Sequence, residues 1–512
     1  MAIAYIALFA WFLVTLALFL TVRPALAAAW TLVGATMFLP SGVSIDPPVL
    51  PALGKEEFAS LALALAASAF ARPALRQARL GRGPELLLAL GLVGAVLSVL
   101  GNADPLRVGP VVVPGTIPPD AASDAIELVL RWGVPFFVGR ALFGRARDVR
   151  GLFLILAAAG LVYSLMILVE LWISPQLHRF VYGYHQHSFA QTKRGDGYRP
   201  MVFMAHGLTL SLFVVMCMAS AGALARLRQR VFGVPAGMVA VYLAVILLAC
   251  KSTGSIVYGV FIGPLVLLAP PRTQVRVACA LAALILSYPL LRSLDVLPVD
   301  RFVTFASEVV GARRADSFAA RLETETTMLE RVAERPWLGW ASAGRSAIRD
   351  PETGEIVTVY DGVWIILLGK HGIVGFLAVF GLLLLPVLSA ARGIDRIRSH
   401  GDRVLVGALS LMVAVHVFDL LPNSTVDGYL TLLSGALAGV VPGILREQRR
   451  ARRKAGRGGA GDTSTGRDGV RQILRNSREG TRFQRGATAS GGLCGTSLGC
   501  PLRVPMGAKR LS

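Results

Sequence analysis

The chain has 512 residues, 54% of them hydrophobic and 16% charged, with a mean hydropathy of +0.61 and a formal net charge of +21. A soluble chain would carry about 25% charged residues, so a string of soluble domains is excluded, and apolar runs recurring over hundreds of residues exclude disorder for most of the length. The basic balance therefore does not mark a soluble nucleic-acid-binding domain, and the class that remains is an all-α, polytopic integral membrane protein.

A bilayer core about 30 Å thick needs about 20 apolar residues per helix. In chain order, candidate spans lie near 2–22, 24–40, 57–71, 85–101, 124–143, 151–172, 201–221, 232–250, 254–270, 277–293, 362–389, 404–420 and 429–445. Several are short, so the expectation is about 12–13 transmembrane helices in a domain covering 1–445, with one long loop at 294–360. Continuous Leu, Ala and Val runs mean helices: open strands leave backbone groups unpaired in lipid, and barrel strands would show alternating segments of about ten residues. The first stretch lacks a basic start and a small-residue cleavage site, so it reads as a span and not a removed signal.

Orientation follows the Lys/Arg bias of the short turns. One set of turns carries Arg72, Arg76, Arg79, Arg82, Arg140, Arg145, Arg147, Arg150, Arg226, Arg228, Arg230, Arg272, Arg276, Arg392, Arg396, Arg398 and Arg403. The alternate set carries only Lys55, Arg107, Arg179, Lys193, Arg194, Arg199 and Lys251. The first set is expected in the cytoplasm. That places the C-terminus inside and the N-terminus and the long loop outside. Residues 446–512 hold sixteen Lys and Arg against four acids, are rich in Gly, Arg and Ser, and read as a basic, disordered cytoplasmic tail. Its first part, Arg446 to Arg457, suits anionic lipid head groups or a plain topology anchor. Most of the excess charge is thus this tail plus orienting turns.

Cys217, Cys250 and Cys279 lie in or beside apolar spans, and Cys494 and Cys500 lie in the tail, none with metal-site spacing or as a pair in an outer loop. No internal repeat, Gly-rich phosphate loop or nucleotide fingerprint occurs. No cofactor, metal or ATP coupling is expected.

Polar residues in or beside spans are costly and mark function by default. Here they gather towards the outer side: Glu170, His206, Asp361, His416 and Asp419. Two outer loops are densest in polar and aromatic residues. The first holds Tyr182, Tyr184, His185, His187, Arg194, Tyr198 and Arg199, and the second holds Arg313, Arg314, Arg321, Glu323, Glu325, Arg335, Trp337, Trp340 and Arg345. Bland readings stand beside these. Arg321 and Glu325 have the spacing of a surface i,i+4 ion pair, and Glu127 and Arg131 that of a self-neutralising pair within a span. His185 and His187 lack a third ligand. His371 either moves protons or packs against a neighbouring helix. Trp337 and Trp340 suit interfacial anchoring, and the tyrosines either that or stacking on sugar rings. Arginine, with a planar fork that binds phosphate oxygens bidentately and stays charged beside lipid, favours a pyrophosphate attached to a sugar.

Four segments resemble the O-antigen ligase and O-antigen polymerase superfamily of bacterial envelope glycosyltransferases. They are Gly197 to Leu208 entering a span; Ser317 to Glu325 with Glu334-Arg335-Pro336-Trp337-Leu338-Gly339-Trp340; Asp361-Gly362-Val363-Trp364 running into Gly372-Ile373-Val374-Gly375; and Asp419 to Asn423. With the helix pattern the likeness covers about 125–445. The resemblance implies a metal-independent enzyme of the bacterial inner membrane, active at its periplasmic face. A glycan would leave an undecaprenyl diphosphate carrier for a hydroxyl on another repeat unit or on a lipid A core. It implies Arg321, Asp361 and His206 as catalytic residues, and Arg199, Arg345, Glu325, Trp340 and Tyr198 as substrate-binding ones. Its implied partners are the lipid-linked oligosaccharide, membrane lipids, and a flippase, chain-length regulator or export proteins. The sequence departs from many members in reading Asp361-Gly362 where they carry a His-Asn pair, so the histidine's role does not transfer directly, and the likeness leans slightly towards exopolysaccharide polymerases. The second reading is a transporter of an anion or oligosaccharide, which would more often show repeat symmetry and broken helices; neither is clear in the sequence.

Overall fold

The computed structural model of the chain is almost wholly helical. We describe residues 1–78, 82–194, 197–296, 304, 308, 312–358 and 361–479, with backbone alone at 82, 312–318 and 454–479. Arg79, Gly195, Asp196, Cys494 and Cys500 lie outside the described residues, as do the side chains of Arg82, Arg313 and Arg314. The chain divides into two units, Met1–Glu447 and Gln448–Ser512. The first unit holds all the contacts below.

In order, the helices are α1 (Ala2–Thr21), α2 (Pro24–Phe38), α3 (Lys55–Phe70), α4 (Arg72–Gln77), α5 (Arg82–Leu100), α6 (Pro118–Leu128), α7 (Val134–Leu142), α8 (Ala146–Ile173), α9 (Leu177–Tyr182), α10 (Gly207–Arg226), α11 (Ala236–Ala249), α12 (Thr253–Leu268), α13 (Pro271–Ser293), α14 (Ala312–Glu334), α15 (Ala343–Ser346), α16 (Val363–Gly393), α17 (His400–Asp419) and α18 (Gly428–Glu479). The described strands form two-residue or three-residue antiparallel hairpins, Leu106–Val108 with Val111–Val113, Lys193–Arg194 with Gly197–Tyr198, and Arg230–Val231 with Val234–Pro235. Among the described residues, eight helices (α1, α5, α8, α10, α13, α16, α17 and α18) are long and apolar enough to cross a membrane, and α2, α11 and α12 are shorter apolar helices. The chain is a multi-pass helical membrane protein. Each of the thirteen apolar stretches of the sequence overlaps a helix, but α3 has only 16 residues and the stretch at 124–143 is interrupted by a π-helical turn at Val129–Gly133.

Burial sets the order of packing. Of the most apolar window of α10, 89% is buried, against 28% for α1, α5 and α13, so α10 is central and those three offer apolar flanks to lipid. Close approach of α18 to α7 depends on glycine. Gly435, Gly439 and Gly443, spaced four apart on one face, lie against the backbone carbonyls of Phe136, Arg140 and Gly144, where any Cβ would collide. Small residues at this spacing are how membrane helices pack backbone to backbone, since lipid supplies no hydrophobic drive between them.

Two expectations need correction. The span expected from 201 begins at Gly207, because Glu170 at the end of α8 takes the backbone amides of Met201 and Val202, both at 2.8 Å, and Leu177 at 3.1 Å. A carboxylate holding three amides folds the chain back as a turn, with Val202 at φ 52°. The second correction is that a broken helix exists. Gly372 in α16 adopts φ 63°, ψ −164°, which splits the element into 363–371 and 373–393. The Arg335–Ala341 turn fills the break: Trp340 and Ala341 amides donate to the carbonyls of Gly369 and Lys370 at 2.8 and 2.9 Å, and the Ile373 and Val374 amides donate to Pro336 and Trp337 at 2.8 and 3.3 Å. Four of the backbone groups beside the kink thus find partners in this turn. The backbone of α18 is helical as far as Glu479.

Candidate functional site at one end of the bundle

The polar residues collect at the end where α10, α12, α16 and α18 begin and α17 finishes. Arg321, on α14, places its Nε 3.0 Å from Asp361 Oδ2 and directs Nη1 at the Pro422 carbonyl, 3.5 Å away. Asp361 is held in place because the next residues start α16, whose Val363 amide donates to the carbonyls of Leu420 and Asn423 at 2.9 and 3.2 Å. Asp419 lies on the same junction, accepting from Asn423 Nδ2 at 2.8 Å and from the Tyr258 hydroxyl of α12. Side-chain exposures of 36% for Arg321 and 40% for Asp361 make this pair reachable from solvent. An exposed pair of this kind contributes about 0–1 kcal/mol to stability, so folding does not explain why it is there.

His206 caps α10. Its Nδ1 accepts the Leu208 amide at 3.1 Å, which leaves the proton of the neutral ring on Nε2. Burial, then the positive charges of Arg199 and its neighbours, pushes its pKa down to about 4. At neutral pH, His206 is therefore an uncharged hydrogen-bond donor. Arg199, Arg194, His187 and Arg321 all lie near enough to act electrostatically on it. The His187 and His206 rings are 4.9 Å apart. Arg199 is nearly buried, donates to the Lys251 carbonyl at 3.4 Å, and lays its aliphatic stem where any side chain at 207 would sit, which fixes glycine there. Tyr198 flanks this group on the Lys193–Tyr198 hairpin, its ring 5.6 Å from Phe189. Among the described residues no group of three or more His, Cys, Asp or Glu is placed to hold a metal ion.

The structure thus brings together Arg321, Asp361, His206 and Arg199, with Tyr198 beside them. The remaining sequence candidates have other partners. Arg345 is 1% exposed and donates to the carbonyls of Asp104 and Pro114, both at 2.9 Å. Trp340 is buried, donates to the Arg331 carbonyl at 3.1 Å, and lies under the guanidinium groups of Arg331 and Arg335 at 3.4 and 4.5 Å. Glu325 ties α14 to α13 through Tyr288 and Arg292, at 3.0 and 3.3 Å. Burial raises its pKa. The i,i+4 pair of Arg321 with Glu325 is not formed, because each side chain faces a different partner. Glu127 and Arg131 do pair, at 3.1 Å, within a longer chain in which Lys370 meets Asp124 and Glu127 and Arg131 reaches Glu57. Tyr258 escaped the sequence reading, Lys251 entered it only as an orienting charge, and Asn423 only as the end of the Asp419 to Asn423 segment.

No protein-family model matches the chain, and no curated protein matches it.

Proposed function

We propose that the chain is a membrane glycosyltransferase that moves a glycan from a polyprenyl diphosphate carrier to a hydroxyl acceptor at the periplasmic face of a bacterial inner membrane, as a polymerase or ligase of the O-antigen type. The observation that carries this reading is the half-exposed Arg321–Asp361 pair beside neutral His206, in a cluster with more cation than carboxylate at one end of an apolar bundle. The likeness of the four segments to that superfamily supports it, since three of them supply these residues.

The pairing suggests how the reaction is ordered. A diphosphate entering the cluster draws Arg321 away from Asp361, because a bidentate phosphate contact is stronger than a half-exposed ion pair. The released carboxylate accepts the proton of the acceptor hydroxyl while its oxygen bonds to the anomeric carbon. The bond from that carbon to the diphosphate oxygen breaks, its electron pair leaves with the diphosphate, and Arg321, with Arg199 behind it, offsets that charge. His206, whose Nδ1 is occupied by the Leu208 amide, donates from Nε2 and is not the base. The test is glycan analysis of a strain lacking the protein or carrying Asp361→Asn. Single repeat units accumulate if a polymerase is lost, and unattached polymer if a ligase is lost. Normal glycan in both strains would overturn the reading.

A second reading, transport of an anion or oligosaccharide, draws on the break in α16 with Lys370 beside it. Interrupted transporter helices offer their freed backbone groups to cargo. Here four of those groups are taken by the 336–341 turn, and this favours the enzyme.

A further inference from the structure

At the opposite end of the bundle, α5, α7, α16 and α18 line a half-open cavity of about 310 Å³, within the size range of about 300–1,000 Å³ common for bound small molecules. Its rim holds three guanidinium groups, Arg140, Arg392 and Arg396, and its walls are apolar, including Leu385, Val441 and Leu445. The sequence accounts for the space. Pro386 in α16 and Pro442 in α18 both line it, and a proline within a helix removes one ladder bond and pushes the backbone off line. Gly393 lets α18 come into contact with α16 just beyond, through Val441, so the gap is closed on one side.

Depth and charge both point to a ligand. From the break at Gly372 to Gly393 is about 20 residues, or about 30 Å of helix, the thickness of a bilayer hydrocarbon core. The arginines therefore sit at head-group level, with the apolar walls reaching towards the acyl chains. Arg140 pairs with Glu85 of α5, a contact in which 14% and 24% of the two side chains are exposed. Arg392 is exposed and has no carboxylate within ion-pair distance among the described residues. Orienting arginines need only stand in the aqueous turn, whereas these three converge on a lipid-depth cavity.

We propose that this cavity binds an anionic phospholipid, its phosphate held by Arg392 and Arg396 beside Arg140 and one acyl chain lying along Val441 and Leu445. Basic pockets between spans hold anionic head groups by this combination. The experiment uses the full chain purified in detergent, with native mass spectrometry after adding phosphatidylglycerol or phosphatidylcholine, and thermal stability as a second reading. The wild type should retain phosphatidylglycerol at least about tenfold over phosphatidylcholine, a difference of about 1.4 kcal/mol. The double variant Arg392→Gln, Arg396→Gln should lose that preference. Ala438→Phe fills the apolar half without altering charge and should also lose it. That variant separates a seated lipid from general attraction to basic turns, and serves if the double variant does not fold. Millimolar inorganic phosphate should neither stabilise the protein nor displace the lipid. Equal retention of the two lipids, full retention in Ala438→Phe, or stabilisation by phosphate alone equal to that by phosphatidylglycerol would each overturn the proposal.

Discussion

Arg321 and Arg345 belong to the same loop region and look alike in sequence, yet they end in opposite situations. Arg321 stands half exposed against a half-exposed carboxylate, while Arg345 is buried with two backbone carbonyls on one nitrogen. Trp340, under two further arginines, shares the fate of Arg345. The difference teaches that an arginine near an aromatic residue is ambiguous until its acceptors are known. Two carbonyls commit Nη1 of Arg345 to folding, with the Asp104 carboxylate 3.9 Å from Nη2, whereas a lone accessible carboxylate leaves Arg321 available to a competing anion.

The sharpest way to break that comparison is substitution at both arginines. Arg321→Ala should lower glycan transfer by at least about 100-fold with membrane protein level unchanged, read by polymer yield against an immunoblot. Normal polymer would remove Arg321 from the site. Arg345→Ala should do the reverse, lowering stability by about 3 kcal/mol because two buried carbonyls lose their donor and a cavity opens. Thermal unfolding in detergent measures it, and an inactive protein of unchanged stability would return Arg345 to the site. Gly339, at φ 67° and packed on the backbone of the break, extends the buried side of the comparison. Gly339→Ala should cost about 1–3 kcal/mol, visible as a lower melting temperature.

The smallest effect sharpens the exposed side. His206→Asn keeps a good helix cap, so stability should hold within about 0.5 kcal/mol, whereas transfer should fall, by less than in Arg321→Ala, because the shorter amide does not reach the position from which Nε2 donates. The pH dependence follows from the sign of the shift. His206 titrates at about 4 when folded, below its ordinary 6.5, so the unfolded chain binds the extra proton between those values. Its contribution to stability is complete above pH 6.5 and is lost as pH falls towards 4. Unfolding curves of wild type and His206→Asn should therefore diverge in slope only across that window. A difference persisting above pH 7 would mean that another group is titrating.

Much of the bundle was legible because apolar runs write helices directly into sequence. Arg321, Asp361, His206 and Arg199 were legible as polar residues placed where polarity is costly. What the sequence hid was partner choice. Nothing local says that Glu170 takes three amides and so delays α10, or that Arg321 ignores Glu325 four residues on for Asp361 forty residues away. The glycines of Gly369-Lys370-His371-Gly372 were visible, but a glycine in an apolar run reads as tolerated helix until the turn that completes the break is located. Gly435, Gly439 and Gly443 hid for the same reason, since spacing names a face and not its neighbour.

The sealed break in α16 has a practical corollary for anyone recombining this protein with a similar one. The turn at 336–341 and the residues at 369–374 share hydrogen bonds in both directions, so together they behave as a single cassette separated in sequence by the remainder of the loop. A chimaera that exchanges one half inherits mismatched edges, and residues 348–358 between them form a small hairpin-like excursion, its Arg349 and Ile356 bridged, packed at Gly354 and Pro351 against the 106–113 hairpin. The two halves of the cassette have to travel together.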